Sequence, residues 1–206
     1  GPLTTFYGAQ MLTLIRDWRA RFGDDLYFAW VQLPRTGKPQ RLPSEPTGWG
    51  VSVRDGQRRA LALPRTSMAI TIDLGDPMQG HPTNKADFAH RLAMVVLHDV
   101  YQQPMREWTG PLFRSAKTDG AKLVLTFDHA EGLRPRSGPL KGFAIAGEDR
   151  KFVWADATID GSRVTLASDQ VPRPVAVRYA WASNPDANLV NAADLPASPF
   201  RTDDWD

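Results

Sequence analysis

The stretch Ser67–Lys85, SMAITIDLGDPMQGHPTNK, decides the fold class. Its first part, Met68–Leu74, reads as a buried strand. A short polar loop follows, carrying one histidine, His81, and from Thr83 an amphipathic helix begins. This order displays the loop beyond the carboxyl end of a strand, where α/β folds place ligands and catalytic bases. Of the chain's four histidines, His81 alone stands in such a place.

Working outward, the same alternation of elements recurs on the N-terminal side. Phe6–Arg21 carries Tyr7, Met11, Leu14, Ile15 and Trp18 at helical spacing, and Gly23 ends that helix. Leu26–Leu33 is a continuous apolar run, the pattern of a strand covered on both faces. Thr36–Gly50 is a long loop rich in Pro and Gly, of the kind that compact domains often use for function. Val51–Leu63 predicts a second helix. Thr83–Gln103 predicts a third, with Phe88, Leu92, Val95 and Val96 on one side. Helix and strand in alternation imply parallel strands joined by crossovers. Two strands buried on both faces cannot complete a covered sheet by themselves, so further strands must come from elsewhere.

Beyond Pro104 the texture changes. Leu123–Phe127, Gly142–Ala146, Phe152–Ile159, Arg163–Ala167 and Val175–Trp181 are short runs bounded by Gly, Pro, Asp or Asn. Their spacing predicts a small antiparallel sandwich. The resulting division is residues 1–105 and 106–206, with the boundary within Arg106–Lys117. The tail Asn184–Asp206 lacks periodicity and must pack on something to be ordered.

Composition removes several function classes. A net charge of +2 in 206 residues, with Lys and Arg scattered, gives no footprint for nucleic acid. No cysteine is present, which excludes thiolate metal sites and cysteine nucleophiles. No apolar run approaches the roughly 18 residues of a membrane span. No signal peptide is recognisable, and Gly1-Pro2-Leu3 resembles a protease scar more than a native start. The seven tryptophans and nine phenylalanines suit a sugar-stacking surface or plain core packing.

The chemistry centres on His81. A neutral imidazole is the usual base for activating a hydroxyl nucleophile, and it needs a group to orient it. Asp73 and Asp76 lie just upstream in the same loop. The alternative is a surface histidine ahead of a helix whose N-cap is Thr83. His90 and His98 are eight residues apart, about 12 Å of helical rise, too far to share a metal. Asp128, His129 and Glu131, after a strand, offer a metal-ligand set or a plain turn. No phosphate-binding loop and no nucleophile-elbow serine is present. If His81 is a base, its nucleophile lies on other sequence.

Several strings together resemble one family. LIRDWRARFG (14–23), FAWVQLP (28–34), GQRRALALPRTSMAITIDLGD (56–76) and GHPTNK (80–85) resemble the sialate O-acetylesterases, carbohydrate esterases of the SGNH type. LTFDHAEGL, GFAIAG, AVRYAWASNP and NLVNAADLPASPFRTD follow in the same order. The resemblance implies an α/β chain: the C-terminal part of a three-layer α/β/α SGNH-type domain, followed by a small antiparallel β domain. It implies a serine-type hydrolase removing acetyl groups from sugars, with no metal and no cofactor. His81 falls on the family's catalytic histidine. The acid usual three residues before it is replaced by Met78, which leaves Asp76 as the nearest candidate to orient the ring. The serine and the oxyanion-hole donors would belong to an N-terminal portion of the same protein, the implied partner. Trp49 and Arg54 are candidates to line the substrate cleft. The substrate would be an acetylated carbohydrate, a sialic acid or a plant polysaccharide, and the compartment periplasmic or secreted. The alternative is a non-catalytic carbohydrate-binding chain using Trp154 and Trp181, or a structural partner completing a catalytic fold.

Overall fold

Phe28–Val31 (β1) lies parallel to Thr66–Ala69 (β2), in a register that sets Phe28 opposite Thr66 and Val31 opposite Ala69. The computed structural model of the chain describes residues 2–46 and 48–205, with side chains from residue 6 onward. Gly1–Gly37 and Thr47–Thr109 form one compact unit. Lys38–Pro46 and Gly110–Asp206 form a second. The segment Lys38–Pro46, read in the sequence simply as loop, therefore groups with the C-terminal residues. Gln40 donates its N–H to the Asn184 carbonyl and Glu45 to that of Trp181.

In the first unit, three helices accompany the strand pair: α1 (Pro2–Phe22), α2 (Trp49–Ala60) and α3 (Lys85–Asp99). Both strands are shorter than their apolar runs. After Ala69 the chain leaves the ladder and turns through a 3-10 segment at Ile72–Leu74, where a continued strand was expected. The departure is fixed by side chains. The Thr71 Oγ1 donates to the Gln32 carbonyl at 2.5 Å, and Arg91 donates to the Ile70 carbonyl at 2.8 Å. Asn84, not Thr83, caps α3, its side chain accepting the Asp87 N–H. Gly23 ends α1 in a left-handed conformation at φ 114°, and its N–H closes on the Arg19 carbonyl.

The helices α1 and α2 cross at two glycines. A Cβ on Gly56 would stand 2.7 Å from the Gly8 nitrogen and 2.8 Å from the Tyr7 ring. Gly56→Ala is therefore expected to push the helices apart and cost about 1–3 kcal/mol by overpacking, read as a lowered midpoint in urea. The apolar face of α1 is covered only in part. Ile15 is fully buried, but Leu14 and Trp18 remain 51% and 48% exposed. Ala29 on β1 is exposed as well. Among the described residues each of β1 and β2 has a single ladder partner, so both are edge strands.

The second unit is all β. One sheet has the order β3-β4-β9-β8, from Leu112–Asp119 (β3), Lys122–Asp128 (β4), Asp156–Asp160 (β8) and Arg163–Ala167 (β9). A bulge interrupts the β3–β4 register between Phe113 and Ser115. The other sheet has the order β12-β10-β6-β7, from Phe143–Ala146 (β6), Val153–Trp154 (β7), Ala176–Tyr179 (β10) and Phe200–Arg201 (β12). A short pair joins Arg134–Pro135 (β5) to Leu189–Val190 (β11). All these ladders are antiparallel.

Strand alternation builds the core. Leu123, Leu125 and Phe127 from β4 meet Val164 and Leu166 from β9, with Phe143, Ile145, Val177, Tyr179 and Phe200 from the other sheet. The Phe113 and Phe200 rings stack at 4.3 Å, and Phe143 and Tyr179 lie 4.5 Å apart. Such pairs add about 0.5–1.5 kcal/mol each beyond their buried area. The run Phe152–Ile159, read as one strand, is two: β7 pairs with β6, β8 with β9. The aperiodic tail is ordered by asparagines and contributes β11 and β12. Asn188 holds the Ser137 and Pro139 carbonyls and the Lys141 N–H. Asn191 accepts the Leu195 N–H and donates to the His129 carbonyl.

Candidate active site

At the carboxyl end of β1, in the first unit, lies a recess of about 290 Å³. Val31–Pro34 form its floor, Trp49 and Val53 of α2 one wall, and His81, Pro82, Lys85 and Phe88 the opposite wall. This is the crevice position that open α/β sheets use for ligands. The histidine ring is exposed, while Pro82 beside it is buried and anchors the loop. Among the described residues no hydrogen bond or ion pair engages the imidazole.

The loop that carries His81 is held from behind. Arg91 on α3 clamps Asp73 with two bonds, of 2.5 and 2.9 Å, while also reaching the Ile70 carbonyl. Gly37 donates to the Pro77 carbonyl and Arg35 to that of Ile72. Gly75 passes so close to Arg35 that a Cβ there would overlap the Arg35 carbonyl. Gly75→Ala is expected to displace the loop. The expected reading is a shift of the His81 imidazole resonances in NMR, and a stability loss of about 1–3 kcal/mol.

Of the two loop carboxylates, Asp73 is therefore committed to Arg91. Asp76 accepts the Met78 N–H at 2.7 Å, closing a local turn, and forms no bond to His81. Trp49 is 66% exposed and shares the recess with His81. Arg54 does not reach that surface. It is 1% exposed, its Nη1 donates to the Pro34 carbonyl, and burial pulls its guanidinium down to about 10. It braces the floor from one layer behind. Gln57, which itself lines the recess, holds the same segment, accepting the Leu33 N–H and donating to the Val31 carbonyl.

Tyr7, Lys85 and Phe88 also line the recess. Tyr7 and Phe88 read as helix-face core in the sequence, and only their adjacency to a loop histidine in space distinguishes them. Lys85 was visible in the PTNK string. No serine, threonine, aspartate or glutamate of the described residues lines it. The recess can thus supply a base, a cation, a phenol and an aromatic wall, but no serine or threonine hydroxyl. A second polar chain lies elsewhere in the unit: Tyr27 to Ser67 at 2.5 Å, Ser67 to Asp99, and Asp99 to His98 at 2.7 Å, with His98 stacked on Trp108. Burial, aided by the Asp99 carboxylate, pushes the Tyr27 phenol up. Ser67 is buried, so its hydroxyl is not offered to substrate.

No three His, Asp or Glu side chains among the described residues are grouped to hold a metal. No helix among them is long and apolar enough to cross a membrane. In the second unit Trp181 is buried beneath Arg178 and Arg201 and presents no face to a sugar, whereas Trp154 is exposed.

Compared with known proteins, the chain superposes on the crystal structure of a carbohydrate acetylesterase from Xanthomonas citri with a TM-score of 0.89 and 45% identity. The likeness is to a carbohydrate esterase. It covers 97% of this chain and 46% of that one, so the chain spans less than half the length of the esterase it matches. No family model and no curated protein matches.

Proposed function

We propose that this chain supplies the histidine half of a serine-type carbohydrate O-acetylesterase of the SGNH type. One observation carries the reading. A chain that matches under half of an acetylesterase presents a loop histidine in a strand-end recess whose described lining holds no serine or threonine. The missing serine and oxyanion donors belong, in this reading, to an N-terminal portion of the same protein. That portion also supplies strands for the open edges of β1 and β2, completing a three-layer α/β/α domain.

The steps follow from the chemistry. His81 takes the proton of the serine hydroxyl as its oxygen attacks the acetyl carbonyl. The tetrahedral oxyanion is held by preorganised N–H donors. Collapse breaks the ester C–O bond, and His81 returns the proton to the departing sugar oxygen. Water, deprotonated by His81, then releases acetate from the serine and regenerates the hydroxyl. Trp49 offers a flat apolar wall to the sugar ring. Asp76 is the nearest acid to orient His81, after a turn of the loop that frees it from Met78. Arg54 acts on substrate only through the floor it supports. The substrate is an acetylated sugar, sialic acid or plant polysaccharide, and the compartment is the periplasm or the exterior.

The test is reconstitution. This chain is combined with the N-terminal portion of its protein and assayed for acetate release from 4-nitrophenyl acetate and from acetylated glycans. Activity that needs both parts supports the reading, and activity of this chain alone sinks it. Trp49→Ala is expected to raise KM for an acetylated oligosaccharide roughly tenfold while leaving kcat on the small aryl ester unchanged. The stacking it removes is worth about 1–2 kcal/mol.

A further inference from the structure

The second unit carries a cleft larger than the His81 recess, of about 720 Å³. It lies among three connections: the β3–β4 turn, the β6–β7 loop at Gly147–Asp149, and the β9–β10 segment Gln170–Val175. Its volume falls in the range of about 300–1,000 Å³ typical of small-ligand sites.

The cleft is formed in advance. Arg150 donates to the Gly147 carbonyl and closes the β6–β7 loop, with Arg150 itself in a left-handed conformation at φ 61°. Val171 donates to the Ser168 carbonyl and Val175 to that of Ala146, pinning the third connection. Asp149 accepts the Lys151 N–H at 3.2 Å. The backbone of the connections that frame the cleft is thus fixed before a guest arrives, which lowers the cost of binding.

The lining has two textures. Val171 and Pro174 are buried and, with Pro172 and Val175, give an apolar base. Around it stand Glu148, Asp149, Arg173 and Gln170, all exposed. Neither Glu148 nor Arg173 has an intramolecular hydrogen bond or ion pair among the described residues. Carboxylate, guanidinium and amide together can both accept from and donate to hydroxyl groups. Two carboxylates against one guanidinium leave the rim net negative, which disfavours an anionic ligand, while the mixed donors and acceptors suit a neutral polyhydroxyl one. Prolines and valine below suit the C–H face of a pyranose ring.

We propose that this cleft is a second carbohydrate site, one that holds a neutral polysaccharide segment apart from the ester-cleaving recess. The choice of a sugar over another neutral polyol rests on the esterase reading. The site itself rests on the cleft. Its function would be to keep the protein on its polymer between turnovers.

Affinity gel electrophoresis in soluble xyloglucan, arabinoxylan and galactomannan tests this on the protein as it stands. Retardation by at least one of the three is expected. Glu148→Gln with Arg173→Leu is expected to weaken it about tenfold or more, because both lost groups make charge-assisted bonds. Gln170→Trp, which fills the cleft from its rim, is expected to do the same, and thermal unfolding of each variant checks that the unit is intact. Mobility unaffected by all three polymers overturns the proposal, as does retardation unchanged in both variants. Hydrolysis of 4-nitrophenyl acetate by the reconstituted protein is followed in parallel. Loss of ester cleavage with retained retardation in His81→Ala leaves the cleft standing; retardation that falls with His81→Ala overturns it.

Discussion

His81→Ala in the reconstituted protein is expected to lower kcat on 4-nitrophenyl acetate roughly 10⁴- to 10⁶-fold, the loss seen when the base of a serine-type triad is removed. The KM is expected to change little, because in the proposed mechanism the imidazole moves a proton rather than holds the acetyl group. Loop damage is an unwelcome route to the same loss, and the structure separates the two. Pro82, Asp73 with Arg91, and Gly75 against Arg35 hold the loop independently of the ring. His81→Ala should therefore keep the unfolding midpoint of the parent, while Arg91→Ala should lower it. A fall in kcat of less than about tenfold in a folded His81→Ala protein would remove His81 from the mechanism.

The largest stability effect is expected at Asp203→Ala, in the second unit. Asp203 accepts two bonds from Arg178, of 2.9 and 2.6 Å, and lies 3.7 Å from Arg201. Arg178 is further engaged with the Ser44 hydroxyl and the Trp205 carbonyl, and its guanidinium sits 4.3 Å over the Phe152 ring. Both partners are buried. Removing the carboxylate leaves two cationic groups in a dry site, at a cost of about 3–5 kcal/mol. Asp186→Ala, which removes an ion pair to Lys141 that is about half exposed on both sides, should cost less than about 1 kcal/mol. Urea unfolding followed by tryptophan fluorescence reads both, since Trp181 stacks under the buried pair. Equal costs for the two variants would mean that the buried clasp is not what closes the C-terminus.

Legibility in the sequence tracked periodicity. The alternation of Leu123, Leu125 and Phe127 and the helical spacing in Thr83–Gln103 reported their elements because each buries one regular face. Two errors share another cause. The run Met68–Leu74 kept its apolar character through a 3-10 turn, which apolar content cannot distinguish from strand. Phe152–Ile159 is apolar on both sides of a switch between sheets. The tail was opaque because its order comes from asparagine side chains holding distant carbonyls, a long-range fact with no local period. At the site, His81 drew attention by its place after a strand, and Trp49 by its place beside the long Thr36–Gly50 loop. Arg54 was misplaced because a charged residue on a predicted helix normally faces water, and here it turns inward to a backbone carbonyl. Met78, the position where the resemblance leads one to look for an acid, is 90% exposed, more than any other exposed large hydrophobic side chain among the described residues.

The strand pair in the first unit has a consequence for handling the protein. Neither FAWV nor TSMA contains a charge or a proline, the usual guards on an open strand. Each bare edge offers the same unpaired amides to any extended segment that reaches it. Capture by another copy is second order in this chain, whereas capture by a complementary segment in excess is set by that segment's concentration. On the proposed reading, dilution and a surplus of the N-terminal portion favour the productive pairing, and crowding of the lone chain favours precipitation. Solubility at rest becomes a question of stoichiometry before it is one of folding energy.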